Sequence, residues 1–365
     1  MHQIVNTKII SQIIAIGCVA ALTGCDILFP PDEDNSYVCE TDTTSHAFIW
    51  EIDTIGTAFS WLNDVSMVDE NDIWAAGDIE VADSSYNVAH WDGFEWEYFR
   101  VLGRTAGGSL SFGTMRCIKA FSNDDVWVFS NFGAWVHWDG ETWATGYVNA
   151  HKGMFWKVWG TSSSDFYIVG TNGSITHYDG TSFSLMDSGT DIDLRGIWGT
   201  ADGKVFVNGH DDLHATVLLE LKKGLWDLRY DENSPIPSDY GGRVERVYRL
   251  FAWGDTLYAD LSPGFLKSSI SSGKNDVRSR GYVQMGIESV GIRGNCYNDI
   301  IIVDAYGVVT HYNGKSWKKL HDLYNRFPAG VVNLWGMDFK GNYFIAVGDY
   351  MNGGQAFVLR GYRDP

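Results

Sequence analysis

The chain is predicted to be all-β: a seven-bladed β-propeller of four-stranded antiparallel blades, with an N-terminal strand closing the last blade. Two observations predict this. The phrase "DFYIVG" at Asp165 recurs six more times at intervals of 39 to 53 residues. About four strands every 40 to 50 residues is the spacing of units that bury their faces only against neighbours like themselves. Composition agrees, with 41 Gly, 16 Trp, 18 Tyr and 19 Phe against 7 Pro. With hardly any long stretch of 3.6-residue period, that describes many short strands joined by tight turns.

In chain order, Lys8 precedes an apolar run from Ile9 to Leu22, broken by Ser11 and Gln12. A helix needs about 20 apolar residues to cross a bilayer, so this run is too short to span. Residues 1–24 are read as a signal peptide and left out of the fold. "LTGC", Leu22 to Cys25, resembles the lipobox of bacterial lipoproteins; "IGC" at Cys18 is a weaker match. The resemblance implies that Cys25 becomes the acylated (palmitate-type) first residue of the mature chain, anchored to a lipid membrane of the bacterial cell envelope. Asp26 follows it; in enteric bacteria that residue implies inner-membrane retention, a rule that does not hold in all groups, so both membranes stay open. Residues 25–45 are acidic, contain Pro30-Pro31 and have no apolar period, as a tether does.

Residues 46–365 are the propeller. The reference unit, Phe155 to Met186, divides into an inner strand ending in "VWG", a second strand "DFYIVG", a third "SITHYD", and a fourth after an Asp-Gly turn. Second-strand copies begin at Asp72, Asp125, Lys204, Thr256, Asp299 and Tyr343, and inner-strand endings recur as "GIWG" at Gly196, "LFAWG" at Leu250 and "NLWG" at Asn333. The seventh unit stops one strand short. "FIWEIDTIGT", Phe48 to Thr57, carries the fourth-strand pattern and is expected beside Ala356 to Arg360, protecting an edge that would otherwise recruit other chains.

The repeats resemble bacterial propellers of the "DVWAVG…HYDGxxW" type, and their turn is similar to the Asp-box of sialidase-like repeats. His90, His137, His177 and His311 stand where that box has Ser. Asp92, Asp139 and Asp179 are expected to close their own turns through backbone hydrogen bonds. Repetition once per blade marks these groups as structural. Trp74, Trp127, Trp159, Trp198 and Trp335 are expected to fill the gaps between blades.

Cys39, Cys117 and Cys296 remain in the mature chain, an odd number for an oxidising compartment. Cys117 is expected as a buried thiol. Cys39 and Cys296 fall on the same lower face of the propeller and are read as a disulfide.

The opposite face carries the candidate ligand site. Arg116, Lys157, Arg195 and Arg249 fall near the starts of inner strands, with Trp156 and Tyr248 beside them, and Phe132, Tyr306 and Tyr350 lie in second-to-third-strand loops. The whole chain has 27 Lys+Arg against 46 Asp+Glu, a formal charge of −19, so four clustered cations reverse the local sign. Guanidinium forks and ring faces there suit an acidic glycan, a carboxylate or an acidic peptide tail. The structural alternative is neutralisation of neighbouring aspartates such as Asp64 and Asp193. Three long loops, Leu102 to Gly113, Asp231 to Glu245 and His321 to Gly330, join blades on that face, where such folds carry recognition or tolerate insertion.

The acidic surface repels phosphate backbones and argues against nucleic acid. No HExxH, GxSxG, P-loop or CxxC is present. "HDDLH" at His210 lacks a face on which its ligands could converge, so no metal, cofactor or catalytic residue is assigned. Two functions follow. One is an envelope lipoprotein whose propeller is a binding or scaffold module for a protein or glycan partner. The other is a propeller glycoside hydrolase or lyase acting on an acidic polysaccharide, for which Arg116, Arg195 and Arg249 could form an arginine cluster but no acid/base pair stands out.

Overall fold

The computed structural model describes residues 43–105, 108–110, 112–200, 202–211, 215–231, 246–262, 264–271, 275–278, 289–323, 332–350 and 354–363. Tyr37–Pro365 forms one compact unit. Residues 1–42, and with them the expected signal peptide, Cys25, most of the expected tether and Cys39, lie outside the described residues.

Strand β1 (Phe48–Ile55) stands apart in the chain. Blade one follows as β2 (Trp61–Asp69), β3 (Asp72–Val81), β4 (Ser84–Trp91) and β5 (Trp96–Phe99), and a short hairpin, β6 (Gly103–Thr105) with β7 (Gly108–Leu110), leads onward. Blade two is β8 (Met115–Ser122), β9 (Asp125–Ser130), β10 (Ala134–Trp138) and β11 (Trp143–Tyr147); blade three is β12 (Phe155–Ser162), β13 (Asp165–Gly170), β14 (Ile175–Tyr178) and β15 (Phe183–Met186). Blade four is β16 (Leu194–Gly199), β17 (Val205–His210), β18 (Thr216–Lys222) and β19 (Leu225–Asp231); blade five is β20 (Arg246–Trp253), β21 (Thr256–Ser262), β22 (Gly264–Ser269) and β23 (Asn275–Arg278). Blade six is β24 (Ser289–Cys296), β25 (Asp299–Asp304), β26 (Val308–Tyr312) and β27 (Trp317–Asp322). Blade seven is β28 (Val332–Lys340), β29 (Tyr343–Tyr350) and β30 (Ala356–Arg363), completed by β1. β1 pairs antiparallel with β30 from Phe48 opposite Arg363 to Ile55 opposite Ala356, as the missing fourth strand predicts.

Buried apolar side chains gather between blades rather than within them. Trp74 packs with Ile118 and Val126 of blade two, Trp127 with Phe155 and Phe166 of blade three, and Ile73 with Val347 and Val358 of blade seven. Trp159 lies against Gly199 of the next blade, where any Cβ would meet the indole at 2.2 Å, so bulk on one blade requires its absence on the other. Polar bonds add to this near the axis: Ala120 N donates to Ser66 Oγ at 3.0 Å, and Met67 N to Asp338 Oδ2 at 3.0 Å.

The repeated turns are built as expected. Asp179 Oδ1 accepts from Thr181 N and Ser182 N at 2.9 and 2.8 Å, with Gly180 at φ +86°. Asp92 and Asp139 do the same, and the donated backbone N–H groups hold all three carboxyls below the usual range. The histidines have a structural job too. His90, His137 and His177 each meet the Asp opening the second strand, Asp72, Asp125 and Asp165, at 2.7–2.8 Å, and stack on Trp74, Trp127 and Tyr167 with centroids 4.0–4.4 Å apart.

In blade six this motif is buried and recruits the chain ahead of β1. His311 bonds Asp299, Asp299 pairs with Arg363, and His46 Nδ1 meets His311 Nδ1 at 2.8 Å. Thr44 Oγ1 donates to Asn298 O at 3.0 Å. Residues 43–47 therefore lie on the lower face, with the first-to-second and third-to-fourth turns. Cys296 is buried and disulfide-bonded, its expected partner Cys39 falling outside the described residues, and Cys117 is a buried free thiol.

Asp304 is 1% exposed at the upper end of β25, where its Oδ1 accepts from Tyr306 N and Val308 N. Burial pushes its pKa up to about 6. A folded value above the unfolded one gives a stability contribution that is complete below about pH 4 and is lost as pH rises through 6. Asp304→Asn keeps the acceptor without the buried charge. It is expected to raise stability by on the order of 2–3 kcal/mol at about pH 8 and to leave it unchanged at about pH 4; thermal melts at the two pH values check this.

Candidate functional site

The site follows from one irregularity repeated seven times. Near its upper end each inner strand slips register by one residue against its neighbour: between Leu62 and Asp64, Met115 and Cys117, Phe155 and Lys157, Leu194 and Gly196, Val247 and Arg249, Ser289 and Gly291, and Leu334 and Gly336. A β-bulge of this kind breaks the two-residue alternation and re-aims a side chain. The bulged residues are Asn63, Arg116, Trp156, Arg195, Tyr248, Val290 and Trp335. The residue after each lies one step deeper along the axis.

Six of the seven, with Lys157, Arg249 and Ala305, line a chamber of about 110 Å³ at the mouth of the central channel. The Arg116 guanidinium lies 4.1 Å from the Trp156 ring centroid and 5.8 Å from that of Trp335, and Arg195 lies 5.0 Å from Trp156. Trp156 is thus held between two cations. Desolvated cation–π contacts of this sort contribute about 2 kcal/mol each. Arg116 Nη1 donates to Asn63 Oδ1 at 3.0 Å, and among the described residues no carboxylate is within ion-pair distance of Arg116. Trp335 Nε1 donates to Asp349 Oδ1 at 2.6 Å.

One level down, Lys157 Nζ meets Asp64 Oδ1 at 2.5 Å. Burial lowers the Lys157 pKa and the Asp64 carboxylate opposes the shift. Arg249 donates Nε to Val290 O at 3.0 Å and Nη1 to Tyr248 O at 2.8 Å, which fixes its guanidinium in the wall. Below lies a cavity of about 80 Å³ reached by Asp64, Lys157, Arg249, Arg293 and Asp338. Arg293 rests over Trp198 at 4.3 Å with Nε 4.0 Å from Asp338 Oδ1. The lower cavity mixes signs, with Lys119, Lys157, Arg249 and Arg293 beside Asp64 and Asp338, whereas the mouth chamber is lined by cations with no carboxylate among the described residues.

Of the nine ligand residues expected from sequence, the chamber collects Arg116, Trp156, Lys157, Arg195 and Arg249. Their equivalence needs correcting. Arg116 and Arg195 are bulged residues, whereas Lys157 and Arg249 occupy the following, deeper position. Two of the four do meet the aspartates named as neutralising partners: Lys157 meets Asp64, and Arg195 lies 3.7 Å from Asp193. Tyr248 holds a bulge position but turns inward, 8% exposed with its ring 5.3 Å from His210. Tyr350 packs on Phe357 at 4.9 Å in the core of blade seven. Phe132 is 70% exposed on the upper face, and Tyr306 donates its N–H to Asp304; neither lines the chamber.

Trp335 is the principal correction. It was expected between blades, yet it is 38% exposed at the mouth. "VWG", "GIWG" and "NLWG" look alike, but register places Trp335 with Trp156 and puts Asp338 where β12 has Trp159. Asn63, Val290, Arg293 and Asp338 were also missed. A partial signal existed: counted back from the second strand, Asn63 and Val290 stand as far before Asp72 and Asp299 as Arg116 and Trp156 do before Asp125 and Asp165, whereas Trp335 and Asp338 fall one residue out of step.

A scan of protein-family models matches none of them, and a search of curated proteins finds no relative. Solved structures do match in fold. YCF48 bound to D1 peptide superposes with a TM-score of 0.63 at 14% identity over 87% of this chain and 97% of that one. YCF48 from Cyanidioschyzon merolae gives 0.59 at 14% identity over 86% and 98%, and the WD40 β-propeller domain of Doa1 gives 0.56 at 12% over 87% and 97%. At such identities the likeness is one of architecture, and it agrees with the strand order: this chain is a seven-bladed β-propeller of four-stranded antiparallel blades.

Proposed function

We propose that the chain is a lipid-anchored envelope protein whose propeller serves as a binding or scaffold module, engaging a protein partner through the upper mouth of its channel. The carrying observation is the cation–indole stack at that mouth, in which Trp156 lies between Arg116 and Arg195 over Lys157 and Arg249. Groups held this rigidly lose little freedom on binding. Propellers of the same architecture support the reading, since one was solved bound to a peptide. The lower face carries residues 43–47, so the segment that would run to an acylated Cys25 starts from the side opposite the mouth. A protein is favoured over a glycan because Arg116 and Arg195 both lie over the Trp156 ring, at 4.1 and 5.0 Å, and compete for the surface on which a sugar would stack.

Photo-crosslinking from the Phe132 position in the native envelope tests this. The expected result is a discrete protein adduct that is lost in the Arg195→Ala, Arg249→Ala double variant while its melting stays cooperative. Cys25→Ser is expected to move the protein from the membrane to the soluble fraction. An adduct unchanged in the double variant removes the mouth as the binding face, and unchanged membrane retention removes the anchor.

A further inference from the structure

The mouth chamber has a shape and a charge that restrict what can enter it. Four cations reach it and, among the described residues, no carboxylate lines it. The Asp64–Lys157 pair stands between this chamber and the cavity below, so a negative group that descends meets the Asp64 carboxylate. At about 110 Å³ it has room on the order of four water molecules by their share of liquid volume, which fits one carboxylate and the first atoms of the chain bearing it. Arg116 and Arg195 present planar forks, the geometry that matches a carboxylate through two parallel hydrogen bonds. Trp156 Nε1 is buried in the same wall with no acceptor among the described residues, a further donor awaiting an oxygen.

Around the mouth the surface changes character. Trp335 is 38% exposed, Met154 38%, Phe132 70% and Trp61 36%, all on upper-face segments. An anion below and apolar side chains above describe the end of a peptide, in which the charge comes last and hydrophobic residues precede it. An internal Asp or Glu fits less well, because two chain directions would have to leave a mouth flanked by Trp335 and Trp156.

We propose that the chamber receives the C-terminal carboxylate of a peptide chain ending in apolar residues, with Arg116 and Arg195 as its principal cations and Trp335 as the contact for the side chain before the end. This rests on the reading of the upper face as the binding face. The full-length protein in detergent micelles is exposed to a peptide pool randomised over its last four residues, offered as free acids, as C-terminal amides, and beside a galacturonate oligomer. Free acids are expected to be retained at least about tenfold over amides, with apolar residues enriched at the last two positions. Arg116→Gln should abolish the preference and Trp335→Ala should reduce the apolar enrichment alone. The contrast between acid and amide is read on the unaltered protein, so it stands even if a variant fails to fold. Equal retention of acids and amides, retention of neither, or tighter binding of the galacturonate oligomer overturns the proposal. If the crosslinked adduct still depends on Arg195 and Arg249 while acids and amides bind alike, this inference fails and the upper face survives as the binding face.

Discussion

A chain that begins at Gly56 is expected not to form a stable ring. Without β1, all eight partners from Ala356 to Arg363 lose their ladder, and the outer edge of blade seven opens to solvent. Phe48, Trp50 and Ile52 pack against the core between blades six and seven, and Ile55 against that between seven and one. Full burial of such a side chain contributes about 1.5–3 kcal/mol; Ile55 is buried and the other three are half-buried, so together they remain a large share of the stability of about 5–15 kcal/mol typical of a folded protein. The loss is electrostatic as well, since Arg360 would keep its contact with Trp91 at 4.4 Å but lose Glu51 and Asp53. We expect aggregation or non-cooperative melting of the truncated chain, and rescue by a synthetic peptide spanning residues 43–57. Cooperative melting within a few degrees of the intact protein would show that the ring closes by other means.

Lys157→Met should cost about 3–5 kcal/mol, because it strands the 3%-exposed Asp64 carboxylate inside the channel. Asp64 also accepts from Ile118 N across the blade boundary at 3.3 Å, so it cannot turn away without breaking that bond. The paired change Asp64→Asn with Lys157→Met should recover most of the loss, since Asn can keep the acceptor without the charge. Chemical denaturation of the two single variants and the double variant gives the coupling. Additive losses would mean that the pair contributes nothing as a pair.

The closing strand could be read from the text because the seventh repeat is visibly incomplete and only one other segment has the missing pattern. The turn aspartates were legible for a similar reason: Asp-Gly has one local solution, and each copy finds it. The mouth was harder. At a bulge two successive residues leave the alternating pattern together, so Arg116 with Cys117, or Trp156 with Lys157, cannot be sorted by parity of position. Of the Trp-Gly pairs in β12, β16 and β28, the first two share a register and the third does not, so Trp335 was assigned to the wrong environment. The His–Asp pairs were half visible. His90 and its counterparts were recognised as structural, but their partners stand 12 or 18 residues earlier in the chain, and only strand pairing brings them together.

The clasp formed by β1 and the residues before it also has a mechanical meaning. With Cys39 as the partner of Cys296, a pull on the N-terminal end passes covalently into blade six, and the bonds of Thr44 and His46 on the underside of that blade stand behind the disulfide. Once that bond is reduced, the load runs along β1, so the ladder to β30 is strained in shear and its backbone bonds resist as a group instead of unzipping singly. Resistance to force is set by an unfolding rate, which this geometry slows.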